Sequence, residues 1–88
     1  MLTETKQDVL KRINYIEGHL AGIKRMIESE KYCVDILLQT YAVRRAIKKV
    51  ESKLLEGHLH THVLEGIRDG QDKQVLDELI SLYSLVEK

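Results

Sequence analysis

No proline interrupts the 88 residues of this chain, so a helix once started can run until a glycine or a polar cluster stops it. The apolar residues fall where such helices need them. Val9, Ile13, Ile16, Leu20, Ile23 and Ile27 follow one another at spacings of 4, 3, 4, 3 and 4, which marks one buried stripe close to a coiled-coil seam. A first helix is expected to start near Thr3 or Thr5, with Thr5 and Asp8 resembling a capping box, and to end before Ser29-Glu30-Lys31. Gly18 and Gly22 lie inside it. Each costs about 1 kcal/mol relative to alanine, which either the close approach of another backbone offsets or the helix carries as a weak point. A second, unusually long helix is expected from about Tyr32 to about Glu65, with the stripe Ile36, Val43, Ile47, Val50 and Leu54 widened by Leu37, Tyr41 and Leu55. Gly57 is its one expected kink. After a turn from Gly66 to Asp72, a third helix carries Val75, Leu76, Leu79, Ile80, Tyr83 and Val86. With no strand signal, internal repeat or linker, residues 1–88 read as one all-α domain.

A chain this short sits near the lower limit for a self-sufficient core. Its four Tyr, with no Phe and no Trp, supply few large side chains, so pairing with another copy is expected to complete the core. The single Cys argues for a reducing compartment. Met1 to Gln7 is polar and no apolar run approaches ~20 residues, so a soluble, cytoplasmic protein with no membrane partner is expected. Net charge is zero, but residues 1–53 hold 11 Lys+Arg against 7 Asp+Glu, and residues 54–88 hold 3 against 7. That asymmetry suggests a basic face followed by an acidic tail.

His58 and His62 are four apart, so on a helix they stand one above the other and can share a metal ion. His60 points elsewhere. Two surface histidines would look the same, and a lone Cys is usually a small buried hydrophobe. Joining Cys33 to the pair is more informative. His58 follows Cys33 by 25 positions, which on one helix is about 37 Å. The thiol and the imidazoles can meet only if a second copy packs its long helix antiparallel, and twofold symmetry then makes two equal sites. One thiolate with two imidazoles suits Cu(I) or Zn(II), and the lack of a fourth ligand leans towards Cu(I). The sequence offers no Gly-rich phosphate loop, no His-Glu-x-x-His motif and no nucleophile with a local base. An enzyme is not expected.

At these residues the sequence resembles the copper-sensing CsoR family, relatives of the RcnR nickel/cobalt and FrmR formaldehyde sensors. The resemblance covers nearly the whole chain. It rests on Arg12 with Ile16-Glu17-Gly18 and Gly22-Ile23, Lys31-Tyr32-Cys33, Tyr41-Ala42-Val43-Arg44, and His58-Leu59 with His62. It implies a three-helix protomer, an antiparallel dimer and commonly a dimer of dimers. It also implies a repressor that binds operator DNA when metal-free and is released on binding metal. Cys33 would be one ligand, with His58 and His62 from the neighbouring chain, and Tyr32 and Glu78 would orient the ligands through hydrogen bonds. Copper sensors of the family often carry Cys where His62 stands. The persulfide branch needs a second Cys. The nickel/cobalt branch adds a His near position 1, where this chain reads Met1-Leu2-Thr3, and the formaldehyde branch has Pro where Leu2 stands. His19 replaces a usual Gln. Copper fits best, with Zn or Ni as rival ions, and Ni/Co, Zn or formaldehyde as rival inducers.

No short recognition helix behind a tight turn is evident, so DNA would be held by charge on helical faces. Arg44, Arg45, Lys48 and Lys49, with Arg12 and Lys11, would supply phosphate contacts repeated across an oligomer. Arg12 and Lys49 match basic positions that the family uses for DNA. The switch is expected to work by closing the metal site, fixing the His58–His62 segment at Gly57 and drawing in Glu78. A helical assembly module with a structural zinc site is the rival reading.

Overall fold

A computed structural model describes residues 1–86, Val86 by its backbone alone, so the place of Val86 in the apolar stripe lies outside the described residues. The elements are α1 (Thr3–Glu28), α2 (Cys33–His58), a π-helical segment (Leu59–Val63), α3 (Leu64–Arg68) and α4 (Asp72–Val86). From α2 through the π segment to α3 the helix does not break. The protomer is therefore three rods, the second much the longest, as the apolar periodicity predicts. That rod runs on to Arg68, and Gly66 lies within it instead of opening the turn.

Leu2 is the N-cap of α1 and no side chain caps the helix. Thr5 lies inside the first turns, half-buried against Gly57, and Asp8 pairs with Arg12. The expected capping box is absent because both side chains have other partners. The first two rods end alike. Lys31 N–H reaches Met26 C=O at 2.9 Å and Glu30 N–H reaches Ile27 C=O at 3.0 Å. At the end of α3, Gln71 N–H reaches Gly66 C=O at 2.7 Å and Gly70 N–H reaches Ile67 C=O at 3.2 Å. This is the Schellman pattern, in which one residue turns left-handed and the last carbonyls find donors. Gly70 takes that turn at φ 76°, and Glu30 takes it at φ 53°.

Thr5 lies on Gly57, and His19 meets Gln39 across the same pair of rods, so α1 and α2 run antiparallel. Ile16 and Ile23 from α1 and Val43 and Val50 from α2 form the buried seam, flanked by Val9, Ile13, Ile36 and Ala46. Four positions of the expected stripes, Leu20, Ile27, Ile47 and Leu54, stay exposed. Two helices in contact cover only a narrow strip of each other. Gly18 has nothing within 4 Å of an added Cβ, and Gly22 only the Arg25 guanidinium at 3.7 Å, so within the protomer neither marks a close backbone approach. Gly66 instead admits a side chain: a Cβ there would lie 2.5 Å from Val75 Cγ2 of α4.

The molecule measures 56 × 29 × 13 Å. Thirteen ångströms is about the width of one helix with its side chains, so the rods lie in a single layer. A domain usually needs two layers to enclose a core. The accessible surface is 7227 Å², whereas a folded monomer of 10.2 kDa is expected to expose about 5,300 Å². Large apolar side chains lie in that surface: Val34, Leu37, Leu38, Tyr41, Leu55 and Leu59 along the long rod, and Leu76, Ile80, Tyr83 and Leu85 on α4. No described helix is long and apolar enough to cross a membrane.

Candidate metal centre

His58 closes α2 and His62 sits in the π segment. Their rings lie 5.4 Å apart between centroids, tilted by 38°, so the two imidazoles are neighbours as the i, i+4 spacing requires. Gly57 holds this segment in two ways. Its carbonyl accepts a 2.8 Å hydrogen bond from the Thr61 hydroxyl. Its Cα faces Thr5 so closely that a Cβ would lie 2.9 Å from Thr5 Cγ2 and 3.0 Å from Oγ1. A π turn inserts extra backbone into a helix, and such turns recur at functional sites.

Cys33 is the first residue of α2, exposed and free. The 26 residues of α2 put its Cα about 37 Å from that of His58. Twenty-five steps of ~100° fall within about 20° of seven full turns, so Cys33 and His58 share one flank of the helix at opposite ends. Among the described residues no three His, Cys, Asp or Glu side chains stand close enough to hold a metal ion. Within one copy, then, the thiol and the imidazole pair cannot share an ion, although their chemistry fits a soft one.

The imidazole pair lines a hollow with Glu65, Asp69, Gln74 and Glu78. Gln74 Nε2 donates to Glu78 Oε1 at 3.5 Å. Glu78 therefore stands on the imidazole side, while Tyr32, the N-cap of α2 and exposed, stands beside Cys33 at the far end. His60 is exposed. Glu65 and Asp69 escape the sequence reading. Their spacing from His62 would reveal them only once the helix is carried past Glu65.

Arg44, Arg45, Lys48 and Lys49 are all exposed, but they do not form one patch. At ~100° per residue Arg44 and Lys49 point about 140° apart. Arg44 lies over the Tyr41 ring, 5.4 Å from its centroid. Arg12 lines a second hollow with Asp8, Lys11, Tyr15 and Ala46 of α2, and Lys49 follows Ala46 by one turn. Arg12 and Lys49 thus share an edge of the α1–α2 pair, away from the Cys33–His58 flank. Arg12 Nε donates to both Asp8 carboxylate oxygens, at 3.2 and 3.3 Å. Farther along that edge His19 Nε2 donates to Gln39 Oε1 at 2.7 Å, with Tyr15 edge-on to the His19 ring at 5.9 Å. This cross-helix link has no signal in the sequence.

A family model described as metal-sensitive transcriptional repressor matches residues 5–84. The copper-sensing transcriptional repressor CsoR of Bacillus subtilis (strain 168) is 38% identical over 86 residues, which are 98% of this chain and 85% of the relative. The protein of the same name from Mycobacterium ulcerans (strain Agy99) is 39% identical over 79 residues, 90% of this chain and 68% of the relative. Among solved structures, the copper-sensing repressor CsoR with Cu(I) from Geobacillus thermodenitrificans NG80-2 superposes with a TM-score of 0.92 at 35% identity, covering 100% of this chain and 92% of the other. The nickel-responsive transcriptional regulator InrS superposes with a TM-score of 0.76 at 31% identity, covering 89% and 88%.

Proposed function

The chain belongs to the metal-sensitive transcriptional repressor family, and from that premise we propose that it is a copper-responsive repressor, working in the cytoplasm where its operator is. Two copies pair through their long rods head to tail. Cys33 of one copy then comes beside His58 and His62 of the other, and the metal-free assembly holds DNA until Cu(I) occupies these sites.

The observation that carries this reading is the placement of Cys33 and His58 on one flank of α2, at its first and last residues. A twofold axis near the middle of the rod brings each thiol to the opposite imidazole pair. The single-layer shape supports the same pairing, since a second copy supplies the missing layer over the exposed apolar side chains of α2. The surface excess of about 1,900 Å² per chain over that expected of a monomer is what an obligate homodimer interface covers. Pairs of such dimers form a tetramer through the apolar side chains that remain.

A thiolate and two imidazoles satisfy Cu(I) in three-coordination, whereas Zn(II) calls for a fourth ligand. The relatives named as copper sensors favour the same ion. Likeness to a nickel-responsive regulator makes Ni(II) the second inducer to test. Glu78, already beside the imidazoles, and Tyr32, beside the thiol, orient the ligands by hydrogen bonding. Arg12 and Lys49 lead the DNA contacts from their shared edge. Arg45 and Lys48 follow Tyr41 by one and two turns, on the face of α2 that the second copy covers, so they add less charge to the DNA surface than Arg12 and Lys49. Arg44 adds charge from the metal flank. Because these are phosphate contacts, operator affinity falls steeply with salt. Metal releases DNA only if it binds the DNA-free arrangement more tightly, and the coupling is reciprocal.

A gel-shift titration of the DNA upstream of the gene, with and without Cu(I), tests the reading. The wild-type protein should bind without metal and let go with it, Ni(II) and Zn(II) serving as comparisons. His58→Ala should bind equally well and fail to let go. Normal release by this variant would refute the mechanism, and no DNA binding by either protein would favour the zinc-stapled assembly module.

A further inference from the structure

We propose that Thr5 is the positioning residue that connects the imidazole segment to Arg12, through its contact with Gly57. The inference rests on the repressor reading above and names a part of the switch that the reading leaves open.

Gly57 is buried and immediately precedes His58. An added Cβ would lie 2.9 Å from Thr5 Cγ2, 3.0 Å from Oγ1 and 3.4 Å from Cβ. No real Cβ tolerates the first of these distances, so the methyl and hydroxyl of Thr5 occupy the space a side chain at 57 would take. On its other side Gly57 is tied to the π segment by the Thr61 hydroxyl at 2.8 Å. One residue is thus gripped by the imidazole-bearing segment and by the start of α1. Any change in the π turn as His58 and His62 turn to face a ligand moves the surface on which Thr5 rests.

Arg12 follows Thr5 by seven residues on one unbroken helix, about two turns and within ~20° of the same face. Asp8 lies between them and holds the guanidinium through both carboxylate oxygens. A helix of this length moves as a rigid body, because packed elements shift between discrete arrangements rather than deform smoothly. Displacing the first turns of α1 displaces Asp8 and Arg12 with them. The path from imidazole to guanidinium is contiguous: His58, Gly57, Thr5, then the α1 backbone. Couplings carried by single contacts of this kind change affinities by about 2- to 30-fold.

Four variants separate this role from ordinary packing: Gly57→Ala, Thr5→Ala, Thr5→Val and the double variant Gly57→Ala/Thr5→Ala. Each is measured for thermal midpoint, for operator affinity without metal, for Cu(I) affinity against a chromophoric Cu(I) chelator, and for the ratio of operator affinities without and with Cu(I). Gly57→Ala should push α1 away and weaken metal-free operator binding about threefold or more. The double variant removes the two nearest Thr5 atoms and should restore that binding to within about twofold. Thr5→Ala should keep Cu(I) affinity but cut the release ratio about threefold or more, and Thr5→Val, which keeps the shape, should keep the ratio. Loss of midpoint with an unchanged ratio in Thr5→Ala overturns the proposal, as does a double variant no better than Gly57→Ala. If Gly57→Ala does not fold, the Thr5 pair decides alone. Failure of the wild-type protein to release DNA with Cu(I) would sink the repressor reading itself, whereas normal release by wild type and Thr5→Ala alike would sink only this inference.

Discussion

Glu30 and Gly70 do the same job at the ends of two successive rods, and only one of them is suited to it. Glycine has no Cβ to clash in the left-handed region, whereas for an ordinary residue that region costs roughly 1–2 kcal/mol. Glu30 bears that cost at φ 53° and makes no side-chain hydrogen bond or ion pair among the described residues that would offset it. Glu30→Gly should therefore raise stability by about 1 kcal/mol, read as a thermal midpoint higher by roughly 4–8 °C. An unchanged midpoint would mean that the left-handed turn at 30 is not under strain. Single residues were also where the sequence was most easily misread. A threonine near the start of a helix looks identical whether its hydroxyl caps the helix or its methyl packs on a distant glycine, so the sequence offers Thr3 and Thr5 alike as caps. Four basic residues within six positions look like a patch, yet each step around a helix turns by ~100°. Arg44 and Lys49 consequently part company. The imidazole pair was readable because i, i+4 neighbours on a helix meet whatever surrounds them, and the rings do meet.

The rods themselves were plain from apolar spacing, since α1 and the long rod follow the period of their buried seam and stop where the chain turns left-handed. The π segment was not, because Leu59-His60-Thr61-His62-Val63 contains nothing that distinguishes a π turn from an α turn. Nor was the reach of the second rod, since Gly66 looked like a terminator. It is instead the point where α3 receives α4, with Val75 seated over the missing side chain. Gly66→Ala would put a methyl 2.5 Å from Val75 Cγ2 and should destabilise by about 1–3 kcal/mol, the usual range for overpacking. Val75→Ala in the same chain should recover most of that loss, measured by chemical denaturation. A single variant as stable as wild type would show that α4 is not held at this contact. The consequence reaches the proposed metal centre, because α4 also carries Glu78 into the hollow that the imidazoles line.

At the level of the entire protomer, short length and sparse aromatics in the sequence lead to an expected partner, and the single-layer shape is what such a partner would complete. Which apolar side chains would be left uncovered was beyond the sequence, because period alone cannot say which side of a stripe the neighbouring rod will take. Under head-to-tail pairing each centre draws its thiol from one chain and its imidazoles from the other. Cys33→Ala and His58→Ala homodimers should each lack both centres. Mixing the two proteins, with time for subunit exchange, should produce hybrids with one intact centre and one lacking both a thiol and an imidazole. Copper binding should therefore return on mixing, to about one ion per hybrid dimer, with mass spectrometry of the intact dimers giving the count. No gain on mixing would place all ligands of a centre within one chain. The 37 Å or so between Cys33 and His58 thus has a genetic consequence. Two alleles, each blind to the inducer for want of a different ligand, would in one cell yield hybrids with a working centre while their homodimers stay on the operator. An inducer-blind allele beside a normal gene would leave its hybrids half-sighted.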